Sequence, residues 1–251
     1  NFKMAFNFTQ EFGYFPKVFQ TRDGKEVFLQ WGFENILTFQ RFKVDGSIRS
    51  IDDQIILNEF FLNNNVRDIL QLTGLPDNPL KVDSIECHTT VRSMSFFDSL
   101  LSSNIIASQS GSIMGCFEDV YDGLTISDLL KEVLVNPDSE NSSIFTTNDK
   151  NEFLYQLFKL LYIGGPISQP DVTINRYLDI SKDLYKECLV LYKASGSGTI
   201  QSACRIYHIN SVPGVDLYSR GSNPSHSHLF VIINHLEKYI TTIKLDYKSF
   251  W

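Results

Sequence analysis

The spacing of apolar positions switches along this chain between the two-residue period of strands and the three-to-four-residue period of helices. Residues 12–42 read as strand and turn. Aromatics crowd Phe12-Gly13-Tyr14-Phe15-Pro16, Arg22-Asp23-Gly24-Lys25 has turn composition, and Glu26-Val27-Phe28-Leu29-Gln30-Trp31 has strand composition, so residues 21–31 are predicted to form half a hairpin. Helical spacing follows at Ile55, Ile56, Glu59 and Phe60, predicting a helix over residues 52–62. A second short helix is predicted over 65–72, ended by Gly74 with Pro76 beyond it. Residues 82–91 return to alternation, with Val82, Ile85 and Cys87 as the apolar members of a strand.

The densest helix signals lie in residues 93–165. Ser95 is expected to cap a helix that runs through Leu101 and presents Phe96, Phe97, Leu100 and Leu101. Ser127 or Thr125 is expected to cap residues 128–135, where acids come early and Lys131 later, as the helix dipole favours. Asp149 and Glu152 have capping-box spacing ahead of a helix reaching Ile163, with Phe153, Leu154, Leu157, Phe158, Leu160 and Leu161 as a broad apolar face. Gly164-Gly165-Pro166 should stop that helix, and another is expected over 172–181.

Beyond this block the pattern becomes β-like. Residues 184–192 are rich in Leu, Val and Tyr, Ser195-Gly196-Ser197-Gly198 is a flexible turn, and residues 200–209 alternate, which together predict a hairpin. Residues 229–233 should pair with 239–245 across 234–238, giving a C-terminal antiparallel meander of about four strands. The fold class predicted is α+β: a mainly antiparallel sheet from N-terminal strands and the C-terminal meander, with a central block of helices (residues 93–181) packed on it. One domain over 1–251 is expected, with a possible sub-division into 1–92 mixed, 93–181 helical and 182–251 antiparallel meander. The edge of the meander, carrying the two-sided apolar strand 229–233, is expected to offer unpaired backbone groups to a partner.

Composition narrows the function classes. The 251 residues carry a net charge of −7 with no basic cluster, which disfavours a phosphate backbone as partner, so no nucleic acid is expected. No apolar run approaches the ~20 residues of a membrane span, so no membrane is expected either. The start, Asn1-Phe2-Lys3-Met4, does not read as a signal peptide and lacks an initiator methionine, so the chain is expected to begin inside a longer one. The sequons at Asn7 and Asn141 are then expected to be chance matches. Cys87, Cys116, Cys188 and Cys204 are scattered without a Cys-x-x-Cys pair, which argues for buried inert thiols in a reducing compartment.

The candidates for chemistry each fall short. Asp119-Val120-Tyr121-Asp122-Gly123 ahead of an amphipathic stretch resembles an EF-hand loop. With Gly123 at the sixth position, however, Val120 and Leu129 occupy the third and twelfth, where calcium needs oxygen ligands. The expectation there is a turn into a capped helix. His226-Ser227-His228 places two imidazoles on one strand face, with His208 and His235 as the candidates to join them; zinc would need three or four converging ligands, so a solvated edge is expected. Cys87 and His88 are adjacent, so in a strand they point to opposite faces and make a poor catalytic pair. Gly196-Ser197-Gly198 lacks the third glycine of a nucleotide loop, and no nucleophile elbow, Walker motif or His-Glu-x-x-His occurs. No catalytic, cofactor-binding or metal residue is assigned, no cofactor is expected, and the partner-binding residues are unknown. The 20 Phe and 11 Tyr exceed what chemistry needs; most should be core, and a surplus can anchor a binding surface. Phe250 and Trp251, beyond the last strand, are expected to cap the sheet edge, with docking of a partner as the alternative.

Several segments, in this order, resemble the cilia- and flagella-associated protein 300 family. They are Gln20-Thr21-Arg22-Asp23-Gly24-Lys25-Glu26-Val27, Ser93-Met94-Ser95-Phe96-Phe97-Asp98, Asp122-Gly123 with Ile126-Ser127-Asp128-Leu129, Asn151-Glu152-Phe153-Leu154 through Leu157-Phe158-Lys159, Ile163-Gly164-Gly165, and the closing strand pair after His226. The resemblance spans nearly the whole chain and rests on collinear order. It implies a non-enzymatic factor for assembling or transporting outer and inner axonemal dynein arms. The partners it implies are a kintoun-like PIH-domain protein and axonemal dynein chains, and it implies a place in the cytoplasm and, with intraflagellar transport, in the cilium. No catalytic residues come with it. The alternatives from other classes are a stable structural component of the axonemal doublet microtubules and, behind it, a hydrolase or metal enzyme on an unrecognised scaffold.

Overall fold

Alternating outer strands and almost wholly buried central ones build an antiparallel sheet whose strands come from both ends of the chain. The computed structural model describes residues 6–46, 48, 52–193 and 200–248. These residues form two compact units, one drawn from Asn1–Pro16, Asn35–Cys87 and Glu187–Asp246, the other from Lys17–Glu34, His88–Lys186 and Tyr247–Trp251.

The first unit holds strands β1 (Asn7–Gln10), β2 (Leu37–Asp45), β4 (Asp83–Cys87), β9 (Cys204–Ser211), β11 (His228–Asn234) and β12 (Tyr239–Leu245). They form one six-stranded sheet in the order β1-β2-β12-β11-β9-β4, with every neighbouring pair antiparallel. Helices α2 (Asp53–Leu62) and α3 (Asn64–Ile69) pack on it through Ile56, Leu57, Phe60, Phe61 and Val66, against Phe8, Phe42, Leu229, Val231 and Ile233. The Phe60 ring meets Phe8 and Phe42 edge-on at 5.2 Å each. Strand pairs β3 (Thr73–Gly74) with β10 (Val215–Asp216), and β7 (Leu191–Lys193) with β8 (Ile200–Ser202), complete the unit.

The second unit contains α1 (Arg22–Gln30), α4 (Asp98–Ser102), the hairpin β5 (Gly115–Tyr121) and β6 (Leu124–Asp128), α5 (Leu129–Val135), α6 (Thr147–Lys150), α7 (Phe153–Ile163) and most of α8 (Asn175–Cys188). Helix α7 is apolar nearly all round, as a helix buried on every side must be. Trp31, at the end of α1, is fully buried and stacks on Tyr177 of α8 at 4.2 Å, while its Nε1–H donates to Asp171 Oδ2 at 2.9 Å. Tyr162 of α7 meets Tyr177 edge-on, and its hydroxyl donates to Asp128 Oδ1 at 2.8 Å.

The predicted fold class holds: the protein is α+β, with a large antiparallel sheet to which both ends of the chain contribute. Helix α2 and strands β11 and β12 lie where alternation and helical spacing put them, and α7 ends at Gly164, whose φ is +66°. Strand β4 covers only the first part of the predicted 82–91 run. The turn at 195–198 and the terminal Phe250 and Trp251 lie outside the described residues.

Several expectations are corrected. Residues 21–31 are not half a hairpin but cap and helix: the Thr21 hydroxyl accepts from Gly24 N at 3.0 Å and starts α1. Gly24 is there for space, since a Cβ would fall 1.8 Å from the Val18 carbonyl oxygen. Ser93, not Ser95, caps the turn Met94–Phe97, and α4 follows it. Thr125 and Ser127 lie in β6, and Asp128 caps α5 by accepting from Lys131 N at 2.7 Å. The capping box belongs to Thr146 and Asp149 on α6. The helix expected over 172–181 runs on to Cys188, so the Leu- and Tyr-rich stretch begins as helix.

The strand 229–233 is not a free edge. β11 is held between β12 and β9, and all seven of its residues are buried, so its backbone groups are already paired. An apolar run buried on both faces is the mark of a central strand.

Candidate functional site

Polar side chains that fold into a core need partners, and the first unit gathers one such group at the start of α2. Asp53 is 3% exposed. Its Oδ2 accepts from the Tyr207 hydroxyl at 2.7 Å and faces Arg205 at 3.4 Å, while Oδ1 lies 3.0 Å from His235 Nε2. The other ring nitrogen of His235 sits 3.0 Å from the Ile48 carbonyl oxygen. Two oxygens flank the ring, one by hydrogen bond and one at ion-pair distance, and both favour the protonated imidazole. Contact with Asp53 accordingly raises the His235 pKa against the opposing pull of burial. Burial alone would raise the Asp53 carboxyl, but His235, Tyr207 and Arg205 outweigh it and hold it below its ordinary value.

This group borders a cleft of about 540 Å³ lined by Tyr192, Gln201, Ser202, Ala203, Arg205, His235 and Leu236. A general base needs a free lone pair facing its substrate. His235 Nδ1 faces the Ile48 carbonyl oxygen and Nε2 lies within ion-pair distance of Asp53 Oδ1, so the arrangement ties these elements together.

The remaining histidines do not form the solvated edge expected of them. His226 and His228 are both buried, and His226 precedes β11. His228 pairs across strands instead: its Nδ1 lies 3.2 Å from Nε2 of His208, whose ring stacks on Phe230 at 4.8 Å. Among the described residues no three His, Cys, Asp or Glu side chains converge to hold a metal ion. Cys87, Cys188 and Cys204 are buried and Cys116 half-buried, and none of the four is in a disulfide. His88 leaves Cys87 and joins the backbone of Asn151 and Phe153. The loop that resembles an EF-hand is a two-residue hairpin turn: Asp122 and Gly123 have φ of +49° and +75°, which joins β5 to β6.

That hairpin carries the feature for which no periodic signal existed in the sequence. Phe117 on β5 is 98% exposed, and Val120 on the same strand is 66% exposed. Met114, just before β5, and Ile105 and Val172 also present apolar side chains to solvent. Backbone bonds bring these positions together: Met114 N donates to Ile106 O, Ile113 N to Val172 O, and Leu129 N to Met114 O. Among the described residues, strand β5 pairs only with β6. Glu118, Asp119 and Asp122 stand exposed around Phe117 and Val120. Burial first, and then Glu132, Asp128 and Asp119, push the Cys116 thiol pKa up, as a negative local field requires. Several exposed apolar side chains on one hairpin and the loops beside it are of the kind that mark a place where proteins meet.

Comparison with known proteins gives the chain its family. A profile described as "Cilia- and flagella-associated protein 300" matches residues 5–245. The chain belongs to the cilia- and flagella-associated protein 300 family. It is 26% identical over 230 residues to the protein of that description from Paramecium tetraurelia, covering 90% of this chain and 88% of the relative. It is likewise 26% identical over 213 residues to the one from Chlamydomonas reinhardtii, covering 80% of this chain and 82% of the relative. No solved structure matches the chain.

The family is described by association with cilia and flagella, not by a reaction. The segments through which this chain resembles the cilia- and flagella-associated protein 300 family serve the fold. Thr21 and Gly24 start α1 against Val18. Ser93 caps the turn before α4, and Asp122-Gly123 closes the β5–β6 hairpin. Glu152, buried beside Asn151, accepts from the Thr90 backbone N–H at 3.1 Å and from its hydroxyl. Gly164 passes so close to Trp31 that a Cβ would lie 2.9 Å from the Trp31 carbonyl oxygen. Phe117 lies between two of these segments and belongs to neither.

Proposed function

We propose that this protein is a non-enzymatic factor that acts through protein–protein binding in the cytoplasmic assembly or transport of outer and inner axonemal dynein arms. Its partners in this reading are a kintoun-like PIH-domain protein and axonemal dynein chains, and intraflagellar transport carries it into the cilium. The observation that supports the reading is the solvent-exposed apolar face of β5. Phe117 is almost fully exposed on a strand that also exposes Val120, and a binding protein uses exposed aromatics of this kind as anchors. Membership in a family of cilia- and flagella-associated proteins fits the same reading.

The test is removal of the protein from a ciliated cell followed by electron microscopy of the axonemes. Outer and inner arms should both be missing from doublets that are otherwise intact, and dynein heavy chains should fall in the cytosol. Axonemes with their normal complement of arms would overturn the proposal. So would a chain that stays on the doublets through high-salt extraction, which is how a stable lattice component behaves.

A further inference from the structure

The charge pattern along the stretch that carries the exposed hairpin is one-sided. Between Arg92 and Lys131 the sequence contains Asp98, Glu118, Asp119, Asp122 and Asp128, and no lysine, arginine or histidine. Asp128 is spent inside the fold, capping α5 and accepting from Tyr162. Asp98, Glu118, Asp119 and Asp122 are exposed, so every exposed charge of residues 93–130 is negative. Apolar and acidic groups alternate at the tip: Phe117, then Glu118 and Asp119, then Val120, then Asp122 in the turn.

Two requirements follow for whatever covers this surface. It must offer an apolar recess, because Phe117 stands 98% exposed and gains only by losing water. It must also offer cations at the rim, because covering Glu118 and Asp119 with uncharged surface would strip their hydration without return. A nucleic acid fails the second requirement. A second copy of this chain that brought the same face would set acids against acids.

Resting on the reading of this chain as a protein-binding assembly factor, we propose that the β5–β6 hairpin docks a partner protein by inserting Phe117 into an apolar socket rimmed with lysine or arginine side chains. Phe117 is the anchor, and Glu118 and Asp119, next to it in the strand, pair with the rim. Charge steering of this type gives orientation and association rate, and desolvation of the aromatic gives the affinity.

The experiment replaces Phe117 with the photoreactive amino acid p-benzoylphenylalanine in the full chain, expressed in ciliated cells. After irradiation, the crosslinked peptides are sequenced by mass spectrometry. The partner segment so identified is then made as a purified protein and its binding to the unmodified chain is measured. The expected crosslink is to an apolar segment of another protein with lysine or arginine within a few residues. Affinity should fall at least tenfold on raising NaCl from about 50 to 500 mM. Phe117→Ala and the double variant Glu118→Lys/Asp119→Lys should each weaken binding at least tenfold with unchanged melting temperature. A crosslink to a segment without basic residues, to another copy of this chain, or to nothing would overturn the proposal, and so would salt-independent binding. Failure of the functional reading is distinguishable: dynein arms left intact in cells lacking the protein, together with a crosslink into a basic socket, would sink that reading and leave the docking mode standing.

Discussion

His235 Nε2 lies 3.0 Å from Asp53 Oδ1, and this pair ties the first turn of α2 to the turn between β11 and β12. The tie has further members, since Asp53 Oδ2 accepts from Tyr207 of β9 and the second nitrogen of His235 faces the carbonyl of Ile48. Asp53 is almost fully buried, so its charge is tolerated only while these partners stay in place.

That arrangement predicts a pH window for stability. The His235 pKa is raised, so its contribution is fully present below its ordinary value of 6.5 and is lost as pH climbs through the higher folded value. The Asp53 pKa is lowered, so its contribution is fully present above 3.8 and is lost as pH falls through the lower folded value. Asp53→Ala should therefore cost most between these limits, about 3 kcal/mol, the low end for a broken buried pair because Arg205 and His235 reach solvent. Urea unfolding of wild type and variant at pH 5.5 and at pH 9 checks it: the gap should narrow at the higher pH, and a gap independent of pH would refute the charged pair.

Gly24 gives a backbone prediction. It is the third residue of α1, where alanine is the better helix former, yet a Cβ there would sit 1.8 Å from the Val18 carbonyl oxygen. Backbone cannot yield as a side-chain tip would, so Gly24→Ala should destabilise by about 3 kcal/mol, at the upper end for overpacking. Chemical denaturation measures this directly. A variant as stable as wild type would mean that α1 does not pack on Val18 as described.

The two glycine-containing segments explain how much was legible beforehand. Asp122-Gly123 is the strongest short hairpin signal a sequence can carry, but a preceding strand exposed on both faces left no alternation to frame it. Arg22-Asp23-Gly24-Lys25 looked like the same signal, but its glycine answers to Val18, a tertiary contact that local composition does not record. Helix α7 and strands β11 and β12 were readable as apolar-rich runs, long in the helix and short in the strands, because all three are buried on nearly every side. The run 229–233 also carried its own correction, since an apolar stretch with no polar face belongs at the centre of a sheet. The exposed face at Phe117 was not readable. Hydrophobic residues are expected inside, and only the fold reveals one that is not.

Caps at the start of α6 and α7 separate two roles that one spacing rule merges. Thr146 and Asp149 form a reciprocal capping box at 3.2 and 2.8 Å, so Thr146→Ala should cost about 1 kcal/mol. Glu152 makes no cap bond at α7 and holds Thr90 instead. Glu152→Ala should cost about 1–2 kcal/mol, as for loss of an acceptor to a buried carboxylate's partners. Amide exchange distinguishes them: Thr146→Ala should expose amides in α6, and Glu152→Ala the amide of Thr90.

Phe97 and Phe117 lie in the same base-free stretch and should behave as opposites. Phe97 is 1% exposed and packs on Phe158 at 4.6 Å, so Phe97→Ala should cost about 3–5 kcal/mol through lost burial and an unfilled cavity. Phe117 is 98% exposed and touches nothing that folding must preserve, so Phe117→Ala should leave stability within about 0.5 kcal/mol. Replacing an exposed phenylalanine by alanine should also improve solubility, since it removes apolar surface from water. Unfolding midpoints of the two variants, measured side by side, carry the test. Equal destabilisation would mean that the β5 hairpin packs against the rest of its unit in solution, and its exposed face could then no longer serve a partner.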